Sequence, residues 1–272
     1  MYALCWQLSQ HDFGDLSVNN KNHGKKVLVT GGSRGIGSAI VRTLATDGYD
    51  VEFIYHASKD AAEALIKDLR HQYSDQGFSA HRLDLGDREA IDAFADQLAN
   101  EEPYYALVHN AGQSYDTLAA LVDQTRGEAI MQINFWSLTR LVTAMVRPMT
   151  QARMGRIVSI GSVTAMHGVK GNSIYSSTKG AALSYMRTLA VELAAKGVTA
   201  NTIAPGFVDT DLLSQYEGHR EKIEKQIPVG RYAHATEVAE MVRYLLSLEA
   251  AYITGSLMSI DGGMMASIGG SR

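Results

Sequence analysis

Two side chains with acid–base chemistry, Tyr175 and Lys179, stand four positions apart in a stretch whose apolar residues recur at helical spacing. On a helix, residues at this spacing share a face, with Cβ atoms roughly 5–6 Å apart. A phenol has an ordinary pKa of about 10, and a neighbouring ammonium group lowers it. Ser162 follows an apolar run and could donate a hydrogen bond to a developing oxyanion. These residues predict proton donation by Tyr175 to a carbonyl oxygen, although the Tyr175–Lys179 pair alone would also suit an ordinary amphipathic helix.

A glycine-rich turn forms the second chemical feature. The segment Thr30-Gly-Gly-Ser-Arg-Gly-Ile-Gly37 lies between an apolar run and a stretch with helical spacing. Glycines let a pyrophosphate approach the backbone, and the following helix N-terminus offers free N–H groups and partial positive charge. A purely structural turn is the alternative. We predict that the turn binds a dinucleotide through Gly31, Ser33, Arg34, Gly35, Ile36 and Gly37.

The elements that must position these groups alternate along the chain. Apolar runs predict strands at 27–29, 51–55, 78–83, 105–109, 156–160, 198–203 and 257–260. Helical spacing predicts helices from Ile36 to Asp47 and at 59–73, 87–99, 117–150, 174–195 and 235–247. This alternation predicts a single doubly wound α/β Rossmann domain, 26–272, with a seven-stranded parallel sheet. Residues 1–25 are polar and aperiodic, so we expect a flexible N-terminal extension there or a short helix that packs onto the body.

Composition excludes several other classes of protein. The 272 residues carry a formal net charge of -4, which argues against general nucleic-acid binding. The single cysteine excludes a disulfide framework, and the scattered histidines suggest no metal site. No apolar run approaches the roughly 18–20 residues that span a bilayer, and the N-terminus does not read as a signal peptide. We therefore expect a cytoplasmic protein.

Further motifs follow the glycine turn in a fixed order. They are Asp84-Leu85 after the third strand, His109-Asn110-Ala111-Gly112 after the fourth, Asn134 in the long helix, and Pro205-Gly206 after the sixth strand. With the spacing TGxxxGxG and the Tyr175–Lys179 pair, residues 26–263 resemble the short-chain dehydrogenase/reductase family. His109 departs from the Asn-Asn-Ala-Gly motif of that family, which has Asn at the first position.

The resemblance implies a role for each of these positions. It implies a nicotinamide cofactor in the cleft of a Rossmann fold, hydride transfer, and proton donation by Tyr175. Lys179 would also bind the nicotinamide ribose, and Asn134 would hold a water that relays protons to Lys179. Together with Tyr175 and Lys179, the implied cofactor contacts after the turn are Asp84, Leu85, Asn110, Ala111, Gly112, Pro205, Gly206 and Val208.

The second strand bears on the choice of nicotinamide cofactor. NAD-specific Rossmann proteins bind the ribose 2′-hydroxyl with an acidic residue at the end of this strand. Here Glu52 lies near its start, and no acid occupies its end. Arg34 could pair with a 2′-phosphate, and His56, Ser58 and Lys59 could add donors. We predict NADPH; the alternative is that Arg34 is only a solvated loop residue.

Three later segments, 201–211, 227–231 and 251–263, resemble the β-ketoacyl-[acyl-carrier-protein] reductases. This implies reduction of a 3-oxoacyl thioester, an acidic acyl carrier protein as partner, and a homotetramer formed through the long fourth and fifth helices and the C-terminal strand. It also implies a substrate lid at 208–228, for which a fixed surface helix pair is the alternative. The matching carrier-docking residues are Arg153 and Lys196, on an edge that Arg147 and Arg156 make more basic; either could equally be a plain solvated charge.

Several residues depart from the pattern of that subfamily. They are Phe135-Trp136, Tyr104-Tyr105 and Met166-His167, and they would suit an aromatic or conjugated acyl chain of an aryl polyene or polyketide pathway, or simple core packing. Two other functions stay open. One is reduction or oxidation of a free small ketone or alcohol. The other is NADPH binding without chemistry, which the presence of Ser162, Tyr175 and Lys179 disfavours.

Overall fold

The sheet of this protein is doubly wound and entirely parallel, as predicted. A computed structural model describes residues 22–210 and 218–266. Its seven strands are β1 Lys26–Thr30, β2 Asp50–Tyr55, β3 Phe78–Arg82, β4 Ala106–His109, β5 Gly155–Ile160, β6 Val198–Pro205 and β7 Leu257–Ile260. The helices are α1 Gly35–Thr46, α2 Lys59–Gln72, α3 Arg88–Asn100, α4 Gln124–Met131, α5 Ser137–Ala152, α6 Ser173–Leu193, α7 Arg220–Glu224 and α8 Ala235–Leu246.

Two hydrophobic layers hold helices against the two faces of the sheet. Helices α1, α2 and α8 cover one face, where Val27 and Val29 of β1 belong to the core. Helices α3, α5 and α6 cover the other face, where Leu28 belongs to the core. Successive strand residues point to opposite faces, so a short apolar run supplies both layers. Each fully buried Leu or Val side chain contributes about 1.5–3 kcal/mol.

The strand order creates a crevice at one edge of the sheet. The order is β3-β2-β1-β4-β5-β6-β7, and its direction of growth reverses between β1 and β4. In parallel α/β sheets, ligands bind outside the carboxyl ends of the strands at such a switch point. The glycine turn follows β1, the His109 motif closes β4, and Ser162 follows β5. The topology therefore brings all three to this crevice.

The stretch 117–150, which was predicted to be long and mostly helical, is not one continuous α-helix. Residues Ala119–Leu121 form a 3₁₀ turn, and α4 begins only at Gln124. The Asp123 side chain caps this helix, because its Oδ1 accepts the Arg126 N–H at 3.0 Å. Between α4 and α5, residues Gln132–Trp136 form a π-helical segment. Apolar spacing could not show these breaks, because it continues through both of them.

The described residues reach slightly beyond the predicted domain. Residues 1–21 of the expected flexible extension lie outside them, as does 211–217 within the segment compared with a lid. Residues 22–25 form a turn instead, in which the Asn22 side chain donates to the Asp47 carbonyl oxygen at 2.9 Å. Lys25 Nζ donates to Asn22 Oδ1 at 3.0 Å. The flexible N-terminal extension over 1–25 stays a prediction.

Within 22–210 and 218–266, no helix is both long enough and apolar enough to cross a membrane. The same ranges bring together no group of three or more His, Cys, Asp or Glu side chains able to hold a metal ion.

Candidate active site

The glycine turn is held in place by polar contacts to the end of β4. Thr30 Oγ1 accepts the backbone N–H groups of Asn110 at 3.0 Å and Ala111 at 2.9 Å. The Asn110 side chain donates to the carbonyl oxygens of Thr30 at 3.1 Å and Gly31 at 3.2 Å. Gly31 and Gly35 have φ of 69° and 54°, which is left-handed backbone that favours glycine. The turn is thus fixed in shape ahead of the α1 N-terminus.

Gly37 packs directly against the glycine turn. A Cβ atom at this position would lie 2.0 Å from the Gly31 carbonyl oxygen and 2.7 Å from the Asn110 side chain. Only glycine therefore lets the first turn of α1 approach the glycine turn so closely. Gly37 does not line the cleft itself, and its assignment as a cofactor contact stays a prediction.

A cleft of about 520 Å³ opens at the carboxyl ends of the strands. Except for Gly37 and Lys59, it is lined by every residue predicted to contact the cofactor, and by Ser162. Its length runs from the end of β2, past the α1 N-terminus, to Tyr175 on α6. Free N–H groups of a helix N-terminus bind anions, so these residues fit the pyrophosphate of a dinucleotide. The predicted cofactor residues that line it are Gly31, Ser33, Arg34, Gly35, Ile36, His56, Asp84, Leu85, Asn110, Ala111, Gly112, Tyr175, Lys179, Pro205, Gly206 and Val208.

One end of the cleft is lined by donors and cations. Exposed Arg34, with His56 and Ser58, lines the part next to β2. His56 Nε2 lies 3.7 Å from Asp84 Oδ2, while Asp84 Oδ1 accepts the Gly86 N–H at 2.8 Å. Glu52 is buried elsewhere, with a carboxylate oxygen 2.9 Å from Lys26 Nζ. No carboxylate of β2 is thus available to a ribose hydroxyl, and a 2′-phosphate fits this end.

Ser162 is oriented by its neighbour Thr164. The Thr164 N–H donates to Ser162 Oγ at 3.2 Å, and the Thr164 hydroxyl donates to the same oxygen at 3.0 Å. A serine hydroxyl has two acceptor sites and one hydrogen. Because Thr164 occupies both acceptor sites, the Ser162 hydrogen is left to donate toward Tyr175 or a substrate oxygen. Sequence spacing gave no signal for Thr164.

The predicted effect of Lys179 on Tyr175 is wrong in this structure. Burial raises the pKa of Tyr175 to about 12, against a smaller lowering by hydrogen bonding from Ser162 and a further rise from Asp116. Lys179 Nζ lies 5.7 Å from the centre of the Tyr175 ring and does not offset the burial of the phenol. Tyr175 is therefore a protonated phenol near neutral pH, which is the form that a proton donor requires.

Lys179 is buried and hydrogen-bonded to the last residue of β5. Its Nζ donates to the Ile160 carbonyl oxygen at 2.8 Å, and burial lowers its pKa to about 8. A Cβ atom added at Gly112 would lie 3.3 Å from Lys179 Nζ and 3.3 Å from Asn134 Oδ1. Glycine at position 112 thus keeps open the space between these two side chains.

Asn134 lies in the middle of the π-helical segment, behind Gly112. Its Oδ1 accepts the Gln113 N–H at 2.9 Å, and its Nδ2 donates to the Gln113 carbonyl oxygen at 3.0 Å. Nδ2 also lies 2.9 Å from Thr178 Oγ1, one residue before Lys179. The side chain therefore joins the loop after β4 to α6. Gln113 and Thr178 carried no sequence signal.

The predicted docking residues meet at the opposite edge of the sheet. Arg153 has a φ of 53° where α5 ends, and its Nη2 donates to the Ala195 carbonyl oxygen at 3.1 Å. Lys196 follows directly, and both side chains are exposed. Arg156 is only 3% exposed and its Nη2 donates to the Ser247 carbonyl oxygen at 3.3 Å. The expectation that Arg156 makes this edge basic is therefore wrong.

Most of the aromatic departures lie away from the cleft. Tyr104 and Tyr105 are buried before β4, and the Tyr105 hydroxyl donates to the Leu246 carbonyl oxygen at 2.5 Å. The Phe135 ring packs 4.8 Å from Trp136 and 6.0 Å from Tyr185, off the cleft lining. Their expected contact with an acyl chain stays a prediction. Met166 and His167 are exposed just after the 3₁₀ turn that follows Ser162.

The family comparison defines the class of protein to which this cleft belongs. A family model described as enoyl-(acyl carrier protein) reductase matches residues 31–265. The chain belongs to the short-chain dehydrogenase/reductase family, as the order of its motifs predicted.

Particular relatives resemble the chain over most of its length. It is 37% identical over 243 residues to 3-oxoacyl-[acyl-carrier-protein] reductase FabG of Escherichia coli, covering 89% of this chain and 97% of that protein. It is 34% identical over 242 residues to the uncharacterized oxidoreductase YmfI of Bacillus subtilis, covering 88% and 98%. A solved structure of a blue fluorescent protein from a metagenomic library, in complex with NADPH, superposes with a TM-score of 0.81 at 34% identity, covering 89% and 98%.

Proposed function

We propose that this oxidoreductase reduces a 3-oxoacyl thioester, carried on acyl carrier protein, to the 3-hydroxyacyl thioester with NADPH. The observation that carries the proposal is the pairing of Ser162 with Tyr175 in the cleft. Thr164 occupies both acceptor sites of the Ser162 hydroxyl, and burial keeps the Tyr175 phenol protonated. The similarity to the Escherichia coli reductase supports the choice of thioester and carrier.

The chemistry divides between the cofactor and four side chains. Bound NADPH supplies a hydride to the carbonyl carbon. Ser162 donates a hydrogen bond to the carbonyl oxygen, where negative charge grows, and Tyr175 gives that oxygen its proton. Lys179 and Asn134, which face each other across the space at Gly112, return a proton to Tyr175. The pKa of Lys179, lowered to about 8, suits proton exchange near neutral pH.

The preference for NADPH follows from the end of the cleft next to β2. Arg34 lies there with His56 and Ser58, and Glu52 is buried against Lys26 instead. A guanidinium group pairs well with a phosphate, so the 2′-phosphate is favoured over a free hydroxyl. The NADPH complex of the structural relative is consistent with this choice. A lower Michaelis constant for NADH than for NADPH would contradict it.

We define the rim of the cleft as the loops after β4 and β5, whose first residues line the cleft. Thr117 N–H donates to the Gly171 carbonyl oxygen at 2.6 Å, which joins the loops that follow β4 and β5. On these loops Leu118, Met166 and Val169 are 47%, 39% and 52% exposed. Apolar side chains at the rim suit an acyl chain longer than the reacting carbons. The assignment to an aryl polyene or polyketide pathway stays a prediction, as does the cytoplasmic location.

We propose that a carrier docked at Arg153 and Lys196 delivers its acyl group to the cleft of a second copy of the chain. These residues precede β5 and β6, whereas Ser162 follows β5, and six strand residues span roughly 20 Å. Trp136 at the start of α5 and Val191 near the end of α6 are 45% and 82% exposed. We propose that α5 and α6 pack antiparallel against a partner within the homotetramer, which brings the docking edge of one subunit toward the cleft of the next.

The proposal is tested by NADPH oxidation with two matched substrates. One is a 3-oxoacyl group on acyl carrier protein, and the other is the same acyl group on a small thiol. A preference for the carrier-bound form would support both the thioester and the carrier. Equal activity on both substrates would support thioester reduction but contradict carrier docking at Arg153 and Lys196. If the protein binds NADPH but acts only on free ketones or alcohols, the proposed thioester substrate is wrong.

Carrier docking is tested separately by changing the charges of Arg153 and Lys196. Lys196→Glu together with Arg153→Asn should lower kcat/KM for the carrier-bound substrate only, because Asn tolerates the left-handed backbone at position 153. Lys67→Glu, on exposed α2 at the other face of the sheet, is the matched control. A loss of the same size on the small thiol would show damage to the cleft rather than to docking.

A further inference from the structure

His109 closes β4 in a fully buried polar contact. It is 1% exposed, and its Nε2 lies 2.9 Å from Ser137 Oγ. The Ser137 hydroxyl donates to the Ile133 carbonyl oxygen at 2.6 Å. Since that hydroxyl has one hydrogen, His109 Nε2 must carry a hydrogen and donate it to Ser137. Burial and the nearby Lys179 lower the pKa of His109 to about 3, so the ring is neutral.

Ser137 in turn ends the π-helical segment. Its backbone N–H donates to the Gln132 carbonyl oxygen, five residues back instead of the four of an α-helix. The Ser137 hydroxyl therefore bonds to the carbonyl of Ile133, the residue four positions back. The side chain of Gln132 fixes the other end of the segment, because its Nε2 donates to the Leu85 carbonyl oxygen at 3.3 Å. Mid-helix π segments occur mostly at functional sites, and this one holds Asn134 at its centre.

We propose that His109 is a positioning residue for Asn134, acting through Ser137 to hold the π-helical segment. The inference rests on the proposed function, in which Asn134 and Lys179 return a proton to Tyr175. The contacts form one continuous path from β4 to the cleft. His109 supports Ser137, Ser137 supports Ile133, and the next residue is Asn134. A histidine at this position, where the family motif has Asn, reaches the Ser137 hydroxyl from the end of the strand.

Two variants of His109 separate hydrogen bonding from volume. His109→Leu removes the donor, and we expect kcat to fall about 10–100-fold because Asn134 is displaced, with the KM for NADPH unchanged. His109→Gln keeps an N–H donor at a similar reach and should restore most of kcat. Ser137→Ala should match His109→Leu, and the double variant should be no worse than either single variant, because both break one path.

Two further readouts exclude a merely structural effect. The solvent deuterium isotope effect on kcat should rise in His109→Leu and Ser137→Ala, because proton return becomes slower, and should stay at the wild-type value in His109→Gln. Tyr49→Phe is the matched control, since it removes a buried hydrogen bond to the Leu246 carbonyl oxygen far from the cleft. It should lower stability without changing kcat or the isotope effect.

A crystal structure of His109→Leu tests the inference independently of the substrate. We expect Asn134 to lose its contacts with Gln113 and Thr178, and Ser137 N–H to pair with the Ile133 carbonyl oxygen. Unchanged Asn134 contacts, or wild-type kcat in His109→Leu, would overturn the role of His109. Absence of turnover of any 3-oxoacyl thioester by the wild-type protein would instead reject the proposed function, and the crystal structure would still decide the role of His109.

Discussion

Two polar regions lie in this sheet, and they use buried polar groups in different ways. The first is the cleft at the carboxyl ends of the strands, with Ser162, Tyr175 and Lys179. The second, the paired-charge cluster, comprises Lys26, Glu52, His81, Glu101 and Tyr104. There Lys26 Nζ lies 2.9 Å from Glu52 and 3.0 Å from Glu101, and His81 Nε2 lies 2.7 Å from Glu52. The Tyr104 hydroxyl donates to Glu101 at 3.2 Å.

The pKa shifts of the two regions have opposite causes. In the cleft, burial dominates and favours neutral forms, because it raises the pKa of Tyr175 and lowers that of Lys179. In the paired-charge cluster, burial would raise the pKa of Glu52, but hydrogen bonds from His81 and Lys26 lower it to about 2. Removing one member of a buried ion pair destabilises the fold, because the other charge is left buried without compensation. Buried groups that keep a free proton or a free donor are available for chemistry.

Substitution of Ser162 should give the largest change confined to the cleft. Ser162→Ala removes the donor that faces the carbonyl oxygen, and kcat should fall about 10²–10³-fold with NADPH affinity unchanged. Steady-state kinetics and a fluorescence titration with NADPH measure the two quantities. Ser177→Ala is the control, because that exposed hydroxyl donates only to the Ser173 carbonyl oxygen, at 2.8 Å. An equal loss of kcat in Ser162→Ala and Ser177→Ala would contradict the role proposed for Ser162.

Closing the space at Gly112 should give the next largest effect. Gly112→Ala places a methyl group 3.3 Å from both Asn134 Oδ1 and Lys179 Nζ, so kcat should fall on the order of 10²-fold. The measurement is kcat with saturating NADPH and thioester. Gly180→Ala is the control. Gly180 lies on the same helix as Lys179, and a methyl group added there would meet nothing within 4 Å. Full activity of Gly112→Ala would show that the space is not used in proton return.

In the paired-charge cluster, the same type of change should affect stability and spare activity. Glu52→Gln leaves His81 without its charged partner and leaves Lys26 with Glu101 alone. The free energy of unfolding should fall by about 2 kcal/mol, between the values for exposed and buried pairs. Urea denaturation measures it, with kcat expected to be unchanged. Glu63→Gln breaks an exposed pair with Lys59, 3.5 Å apart, and should cost less than about 0.5 kcal/mol. A loss of kcat in Glu52→Gln would contradict the conclusion that the paired-charge cluster affects stability and not activity.

The pH dependence of stability should show the smallest effect. The Glu52 pKa is lowered from 4.5 to about 2, so its contribution is complete above pH 4.5 and is lost as the pH falls toward 2. The hydrogen bond to Glu52 raises the pKa of His81 above 6.5, so its contribution is complete below pH 6.5 and is lost as the pH rises through the raised value. The Tm difference between wild type and Glu52→Gln should therefore be greatest between pH 4.5 and 6.5. A difference independent of pH would contradict this assignment.

The fold and most of the cleft could be predicted because their signals are local. Apolar runs such as Val27-Leu28-Val29 indicate buried parallel strands, and the glycine turn lies directly between strand and helix. Family motifs then placed Ser162, Tyr175 and Lys179 in one cleft, where the structure also has them. The close approach of Gly37 to the Gly31 backbone is a contact that a spacing pattern does not reveal.

The remaining features depend on contacts between distant segments. Burial decides the direction of the Tyr175 pKa shift, and the Tyr175–Lys179 spacing alone gives no measure of burial. Thr30, Thr164 and Ser137 act through hydrogen bonds to groups that they meet only in the folded chain. The burial of Arg156 likewise follows from packing against the residue after α8. Such contacts are set by tertiary packing, which is why composition and spacing missed them.

The central claim is that the protonated phenol of Tyr175 completes reduction of a 3-oxoacyl thioester in this cleft. It is tested most directly by NADPH oxidation with a 3-oxoacyl group on acyl carrier protein, comparing wild type with Tyr175→Phe. We predict rapid oxidation by the wild-type protein, a loss of about 10²–10⁴-fold in kcat for the variant, and retained NADPH binding in both. Wild-type turnover by Tyr175→Phe would contradict the account.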